Sequence, residues 1–358
     1  MTPAATRFCQ QLGIRHPIIQ APMAGVATPA LAAAVCHAGG LGSLGLGASG
    51  PEQARQMMDE ARTLGTQPLN LNVFCHQPPA PDANADAAWI ERLAPTFSRF
   101  GASPPVQLKE IYASFLVDTG MQALLLDTRP AVVSFHFGLP DADCLTRLKA
   151  AGIFLMATAT SLEEARLIEA AGLDAIIAQG IEAGGHRGIF DPAGDDEGLP
   201  TQVLLSQLLP HTRLPVVAAG GIMNGQGIRA ALDLGAAAVQ MGTAFIACPE
   251  SSASPAYRAQ LASERAHHTR LTATLSGRPA RGLLNDFIRQ IESSGGVSPA
   301  AYPRAYDALK QLSAAATRAG NTEYHAHWAG QGAPLARALP AVELMARLLA
   351  EAGLGHGT

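Results

Sequence analysis

Eight short apolar runs, most of them followed by a helical pattern, constrain this chain more than any other feature. They are Ile18–Met23, Leu41–Gly45, Leu69–Phe74, Ala131–Gly138, Phe154–Ala159, Ala175–Gly180, Leu214–Gly221 and Ala237–Phe245. Strands covered on both faces read as continuous apolar runs rather than alternating ones. Alternation of such strands with helices implies a parallel sheet with right-handed crossovers. Eight of them in 358 residues predict an α/β fold of the (β/α)8 TIM-barrel type. An open doubly wound sheet is the alternative, but it usually carries GxGxxG after its first strand. Here the first run ends Ala21-Pro22-Met23-Ala24-Gly25 instead. Hydrophobic residues make up 48% of the chain and charged ones 15%, so a large buried core is required.

The clearest helical patterns are Pro29–Ala38, Ser161–Ala171 and Gly225–Leu234. Ser161 can cap the second of these, and Glu164 can answer as a capping box. Gly39, Gly172 and Gly235 stand where each helix must stop. Two segments break the alternation. Residues about 77–125 contain Pro78-Pro79 and Pro104-Pro105, and residues about 250–322 are polar and read as helix-rich. Loops after barrel strands form the active-site face, so both segments are expected over the mouth. The expected organisation is a barrel over 1–250 with an insertion at about 77–125, then an additional helical lid or substrate segment over 251–322. Residues 323–358 return to the barrel through a helix at Pro340–Ala350, where Pro340 suits the first turn.

Several function classes are excluded. The net charge is −4 with no basic stripe, which argues against a nucleic-acid partner or an anionic membrane surface. No stretch reads as a membrane span, and the first residues lack the basic-then-apolar pattern of a secretory signal. Cys9, Cys36, Cys75, Cys144 and Cys248 are odd in number, widely spaced and contain no CxxC pair. They are expected to be reduced thiols of a cytoplasmic protein rather than zinc ligands or disulfides. His267-His268 and the pair His325/His327 lack Cys or carboxylate companions at ligand spacing, so they read as surface or lid residues and no metal is expected.

An anion must then be held locally. Three glycine-rich turns end late strands: Gly180–Gly185, Ala219–Ile222 and Gln240–Thr243. Glycine lets a backbone approach an anion closely, turn N–H groups can point at it, and a helix starting just after adds its positive end. Barrel phosphate sites often lie after strands seven and eight. A phosphate grip at Gly221 and Gly242-Thr243 is therefore expected, although tight turns needing small residues would look the same. Asn70 and Asn72 share one face of the third strand, since side chains repeat every two residues. With Gln20 and Gln179 they are either satisfied core amides or contacts to a polar planar ligand.

Among groups able to do chemistry, His186 ends the sixth strand, faces the mouth and has a proton affinity suited to general-base work. His136 lies between Phe135 and Phe137, where a packed neutral imidazole is as good a reading. Tyr302, Tyr306 and Lys310 recur every four residues, which on a helix places them on one face, able to receive a carboxylate or nitro group or simply to cover a groove. No GxSxG elbow appears, so acyl transfer is unsupported.

IIQAPMAG (18–25), LNLNVF (69–74), SFHFG (134–138), QGIEAGGHRG (179–188), AAGGI (218–222), QMGTAF (240–245) and WAGQ (328–331) together resemble the class I nitronate monooxygenases, over nearly the full length. The resemblance implies FMN as cofactor and O2-dependent oxidation of alkyl nitronates, propionate 3-nitronate above all; because a nitronate is already a carbanion equivalent, the course expected is one-electron transfer through a flavin semiquinone to a carbonyl product and nitrite. It implies FMN contacts from Met23, Asn70, Gln179, Gly184, Gly221, Gln240, Met241, Gly242 and Thr243. It implies His186 as base and a substrate pocket of Tyr112, His136, Tyr302, Tyr306 and Lys310. The partners expected are a small nitronate and O2, in a monomer or homodimer. The rivals are an NAD(P)H-dependent FMN reductase of quinones or enoyl thioesters, and a non-catalytic barrel binding a phosphorylated ligand.

Overall fold

The computed structural model describes residues 1–65 and 68–355. Its barrel strands are β1 (Ile18–Gln20), β2 (Gly42–Gly45), β3 (Leu69–Phe74), β4 (Val132–His136), β5 (Phe154–Ala159) and β6 (Ala175–Gln179). A two-residue strand outside the barrel, β7 (Gly185–His186), precedes the last two barrel strands, β8 (Val216–Ala219) and β9 (Ala238–Met241). All eight barrel strands are parallel, in the order β1-β9-β8-β6-β5-β4-β3-β2. The ring closes through a bridge between Ile19 and Leu41, where the Gln20 N–H donates to the Leu41 carbonyl at 2.9 Å. The expected TIM barrel is present, with β3 and β5 at the expected bounds. The eighth run was expected to reach Phe245. In the structure it stops at Met241, and Thr243–Ile246 form one helical turn.

The connecting helices follow local chemistry. Thr28 accepts from the Leu31 N–H at the start of Pro29–His37, and Ser161 accepts from the Glu164 N–H at the start of Leu162–Ala170. Glu164 does not complete a capping box. It reaches one residue further back, to the Thr160 N–H (2.6 Å) and hydroxyl (2.8 Å), and also accepts from the Phe190 N–H, so it ties down the loop after β6. Gly39, Gly172 and Gly235 take the left-handed conformation just past their helices. At the N-terminal end of the barrel, Phe8 and Leu12 of the helix Pro3–Leu12 pack on Ile19, Leu41, Val132, Met156 and Ile177, which plugs that end. Burying each such side chain is worth about 1.5–3 kcal/mol. The opposite end is left for a ligand.

The two irregular segments meet over that open end. Trp89, Leu93 and Phe97, from the helix Ala83–Arg99 of the insertion, share a core with Phe287, Ile288, Leu309, Leu312 and Tyr324. The segment after β9 is not helical throughout. It carries β10 (Thr269–Thr272) and β11 (Ala280–Leu283), which form an antiparallel sheet with β7. The closing helix runs Ala341–Glu351, caps at Pro340 and packs on helices Pro29–His37 and Gly225–Asp233. All five cysteines are free thiols. No helix among the described residues is long and apolar enough to cross a membrane.

Candidate active site

The C-terminal ends of the barrel strands open into one cavity of about 570 Å³, within the range of cofactor and ligand clefts, roughly 300–1,000 Å³. One side is built from strand-end turns. Ala183, Gly184, Gly220, Gly221, Gly242, Thr243 and Gly330 line it. Gly221 holds φ +69, a conformation that L side chains rarely adopt. Gly242 has an ordinary φ of −103, and a Cβ there would meet only Ala21 Cβ at 3.4 Å and Met23 Sδ at 3.7 Å, both lining groups. Among the described residues, the N–H groups of Gly221, Ile222, Gly242 and Thr243 donate to no protein acceptor. The helix positive end expected to assist them is already taken: at Gly225–Asp233, Asn224 accepts from the Gly227 N–H and Glu351 from the Gly225 N–H. An anion here would rest on turn amides alone.

Next along the cavity come Met23, Asn72, Gln179, Gln240 and Met241. The Gln240 Oε1 atom is buried without a partner, which normally costs on the order of 1–3 kcal/mol. Gln179 is committed to the protein: it donates to the His186 carbonyl (3.0 Å) and accepts from the Gly188 N–H (2.7 Å), shaping the loop that presents His186. Asn70, expected at the site, is absent from the lining. It is fully buried and donates to Ser43 Oγ at 3.0 Å, while its Oδ1 is left without a partner, and Asn72 stands at the cavity. Gln20 is likewise a core amide, accepting from the Ser43 N–H.

The remaining wall is aromatic. His186 on β7 is enclosed by Trp328 (ring centroids 5.0 Å), Tyr302 (5.4 Å), Phe137 (5.6 Å) and Tyr306 (6.4 Å). Its Nε2 lies 2.9 Å from Ser276 Oγ. Burial pushes its pKa down to about 3, helped by His136, Arg278 and His76, so the ring is neutral near pH 7. His136 lines the cavity, but both its nitrogens serve the fold, Nδ1 at 3.0 Å from Thr158 Oγ1 and Nε2 at 3.1 Å from the His186 carbonyl. Burial drives its pKa to about 4.

Tyr302 reaches the wall without being on the helix assumed for it. The helix is Arg304–Arg318, and Tyr302 precedes it with Pro303 between. Tyr306 and Lys310 do share one face of it. The Lys310 ammonium is exposed at the mouth, 4.9 Å from the Tyr112 ring and 5.6 Å from the Tyr306 ring.

Tyr257 and Arg278 escaped the sequence reading. Tyr257 stacks on His327, 4.5 Å apart and 11° from parallel, with His325 stacked beyond, and all three line the cavity, so these histidines, read as surface or lid residues, stand in its wall. Arg278 is buried, lies 4.3 Å over the Phe137 ring, and forms no ion pair among the described residues. It supplies fixed positive charge behind the wall.

Comparison with known proteins agrees with this arrangement. A family model described as nitronate monooxygenase matches residues 5–351. A nitronate monooxygenase of Paraburkholderia phytofirmans is 57% identical over 94% of this chain and 92% of its own. One of Pseudomonas aeruginosa is 54% identical over 96% and 98%. Among solved structures, a nitroalkane oxidase from Streptomyces ansochromogenes superposes with a TM-score of 0.88 at 41% identity, covering 97% of each chain. FabK from Thermotoga maritima superposes at 0.73 with 30% identity, over 97% of this chain and 96% of its own.

Proposed function

The chain belongs to the nitronate monooxygenase family, and from that premise we propose that it uses FMN and O2 to oxidise alkyl nitronates, propionate 3-nitronate foremost, to a carbonyl product and nitrite. One observation carries the reading. The unpartnered turn amides of Gly221, Ile222, Gly242 and Thr243 open into the same cavity as His186, Tyr306 and Lys310. A phosphate and a planar ring fit that layout. The glycines leave room for a phosphoryl group, and the orphaned Gln240 Oε1 offers an acceptor to a ring N–H. Met23, Asn72, Gln179, Gln240 and Met241 would flank the ring, and Gly184, Gly221, Gly242 and Thr243 its tail. When bound, FMN would supply the oxidant, taking a single electron from the nitronate and passing it to O2.

The chain's own residues bind, orient and shield. Lys310, flanked by Tyr112 and Tyr306, would hold the substrate carboxylate as a charge-assisted pair. Phe137, Tyr302, Tyr306 and Trp328 keep water from the nitronate carbon. His186, neutral, would take the α-proton when the substrate arrives as a neutral nitroalkane. An imidazole this hard to charge is a weak base, which favours preformed nitronates as substrates.

The test is anaerobic mixing. FMN-loaded protein should lose its oxidised flavin absorbance on adding propionate 3-nitronate and release nitrite once air is admitted. NADH alone should leave the spectrum unchanged. No spectral change with nitronate, or full bleaching by NADH, would refute the reading.

A further inference from the structure

Ser276 lies in the turn between β10 and β11 and is fully buried. A serine hydroxyl has one proton and two lone pairs. Three groups surround its Oγ: the Arg278 carbonyl at 3.1 Å, the Arg278 N–H at 3.3 Å and His186 Nε2 at 2.9 Å. The buried Arg278 carbonyl has no other donor among the described residues, so the Ser276 proton is committed to it. Oγ must then accept from His186, which makes His186 Nε2 the protonated nitrogen. The Nδ1 of His186 bonds to no protein group among the described residues.

The backbone holds this arrangement. His186 pairs with Ala280 on β11, so the imidazole and the Ser276 turn belong to one small sheet. The His186 carbonyl accepts from both His136 Nε2 and Gln179 Nε2. The charged and titratable groups facing the ring are His136 from β4, His76 beyond β3, Arg278 from the same turn, and Tyr302 and Tyr306 from the lid. None is a carboxylate.

We infer that Ser276 is the positioning residue that fixes His186 as its Nε2–H tautomer and presents the Nδ1 lone pair to the substrate cavity. The inference deepens the proposed function and rests on it for the base role of His186. In that role the α-proton of a neutral nitroalkane moves to Nδ1, and the C–H electron pair becomes the C=N bond of the nitronate. Its charge settles on the nitro oxygens, and the imidazolium keeps its Nε2–H donated to Ser276. A hydroxyl that is already donating elsewhere orients the ring and stabilises its cation less than a carboxylate partner would.

The direct test is ¹⁵N NMR of protein labelled at the histidine imidazoles, with the His186 signals identified by their loss in His186→Asn. The expected wild-type pattern is Nε2 protonated and Nδ1 bare. Ser276→Ala should give a mixture of tautomers and lower the ratio of nitroethane to nitronate turnover by about tenfold, the loss of one hydrogen bond. Ser276→Thr should restore both. A wild-type His186 protonated at Nδ1, or a Ser276→Ala protein that keeps the single tautomer and the turnover ratio, would overturn the inference. The tautomer is read without turnover, so its failure is seen separately from failure of the nitronate reading, which would show as wild-type protein releasing no nitrite.

Discussion

The floor of the cavity is made where side chains are missing, and its wall is made where they crowd. At the floor, Gly184, Gly220, Gly221 and Gly242 end consecutive barrel strands and offer backbone N–H groups to whatever binds. At the wall, His186, Tyr302, Tyr306, Trp328 and Phe137 enclose one another at ring distances of 5.0 to 6.4 Å. The floor depends on strand ends that the barrel fixes anyway. The wall depends on an insertion, a hairpin and a lid helix meeting over the mouth. Under the proposed function, the rigid scaffold would carry the generic part, cofactor binding, and the added segments would carry substrate choice.

Substitutions should separate the two regions. The largest effect belongs to the wall. His186→Asn should lower turnover of neutral nitroalkanes by about 100-fold or more, the usual scale of a lost general base, while nitronate turnover falls far less. Equal loss on both substrates, measured by nitrite release, would contradict the base role. Gly242→Val attacks the floor alone. Its backbone accepts a side chain and no protein atom is closer than 3.4 Å to the new Cβ, so the protein should fold. Overpacking of about 1–3 kcal/mol should then weaken FMN binding up to about 100-fold. A flavin titration showing unchanged affinity would remove the phosphate from this corner.

Lys310→Met tests the mouth. It should raise KM for propionate 3-nitronate about tenfold, in line with ~1.5–3 kcal/mol for a hydrogen bond to a charged group, and leave ethylnitronate, which lacks the carboxylate, nearly unaffected. The smallest effect is on stability. Burial pushes His76, His136 and His327 down to about 4 and His186 to about 3. Unfolded imidazoles bind a proton below about 6.5, while these stay neutral in the fold. Unfolding therefore takes up protons in that window, and stability falls as pH drops from about 6.5 to about 4. Each such histidine contributes at most about 1.4 kcal/mol per pH unit. His76→Phe should flatten the slope measured by urea unfolding at several pH values, and an unchanged slope would mean that His76 titrates freely.

The same division explains what could be read from the sequence. The floor was legible because strands and their glycine turns are local patterns. Depth was not: a period of two assigns Asn70 and Asn72 to one face without saying that only Asn72 reaches the cavity. The wall was partly legible through His186 and Tyr306. Tyr302 was given a helical position on four-residue spacing alone, although Pro303 already disfavours helix at the residue before it. The sheet β7, β10, β11 escaped notice because β7 has two residues and Arg270 and Arg281 interrupt the other two strands. Tyr257, His327 and Arg278 act through partners far away in the chain, as does Glu351 at the Gly225 N–H, and no local pattern announces such pairings.

The central claim is that strand-end amides hold a phosphoryl group beneath the aromatic wall. Equilibrium titration of flavin-free protein with FMN and with riboflavin tests it most directly, because the two ligands differ only in the phosphate. FMN should bind at least about 100-fold more tightly, the sum of two or more charge-assisted hydrogen bonds. Equal affinities, or no binding of either, would contradict the account.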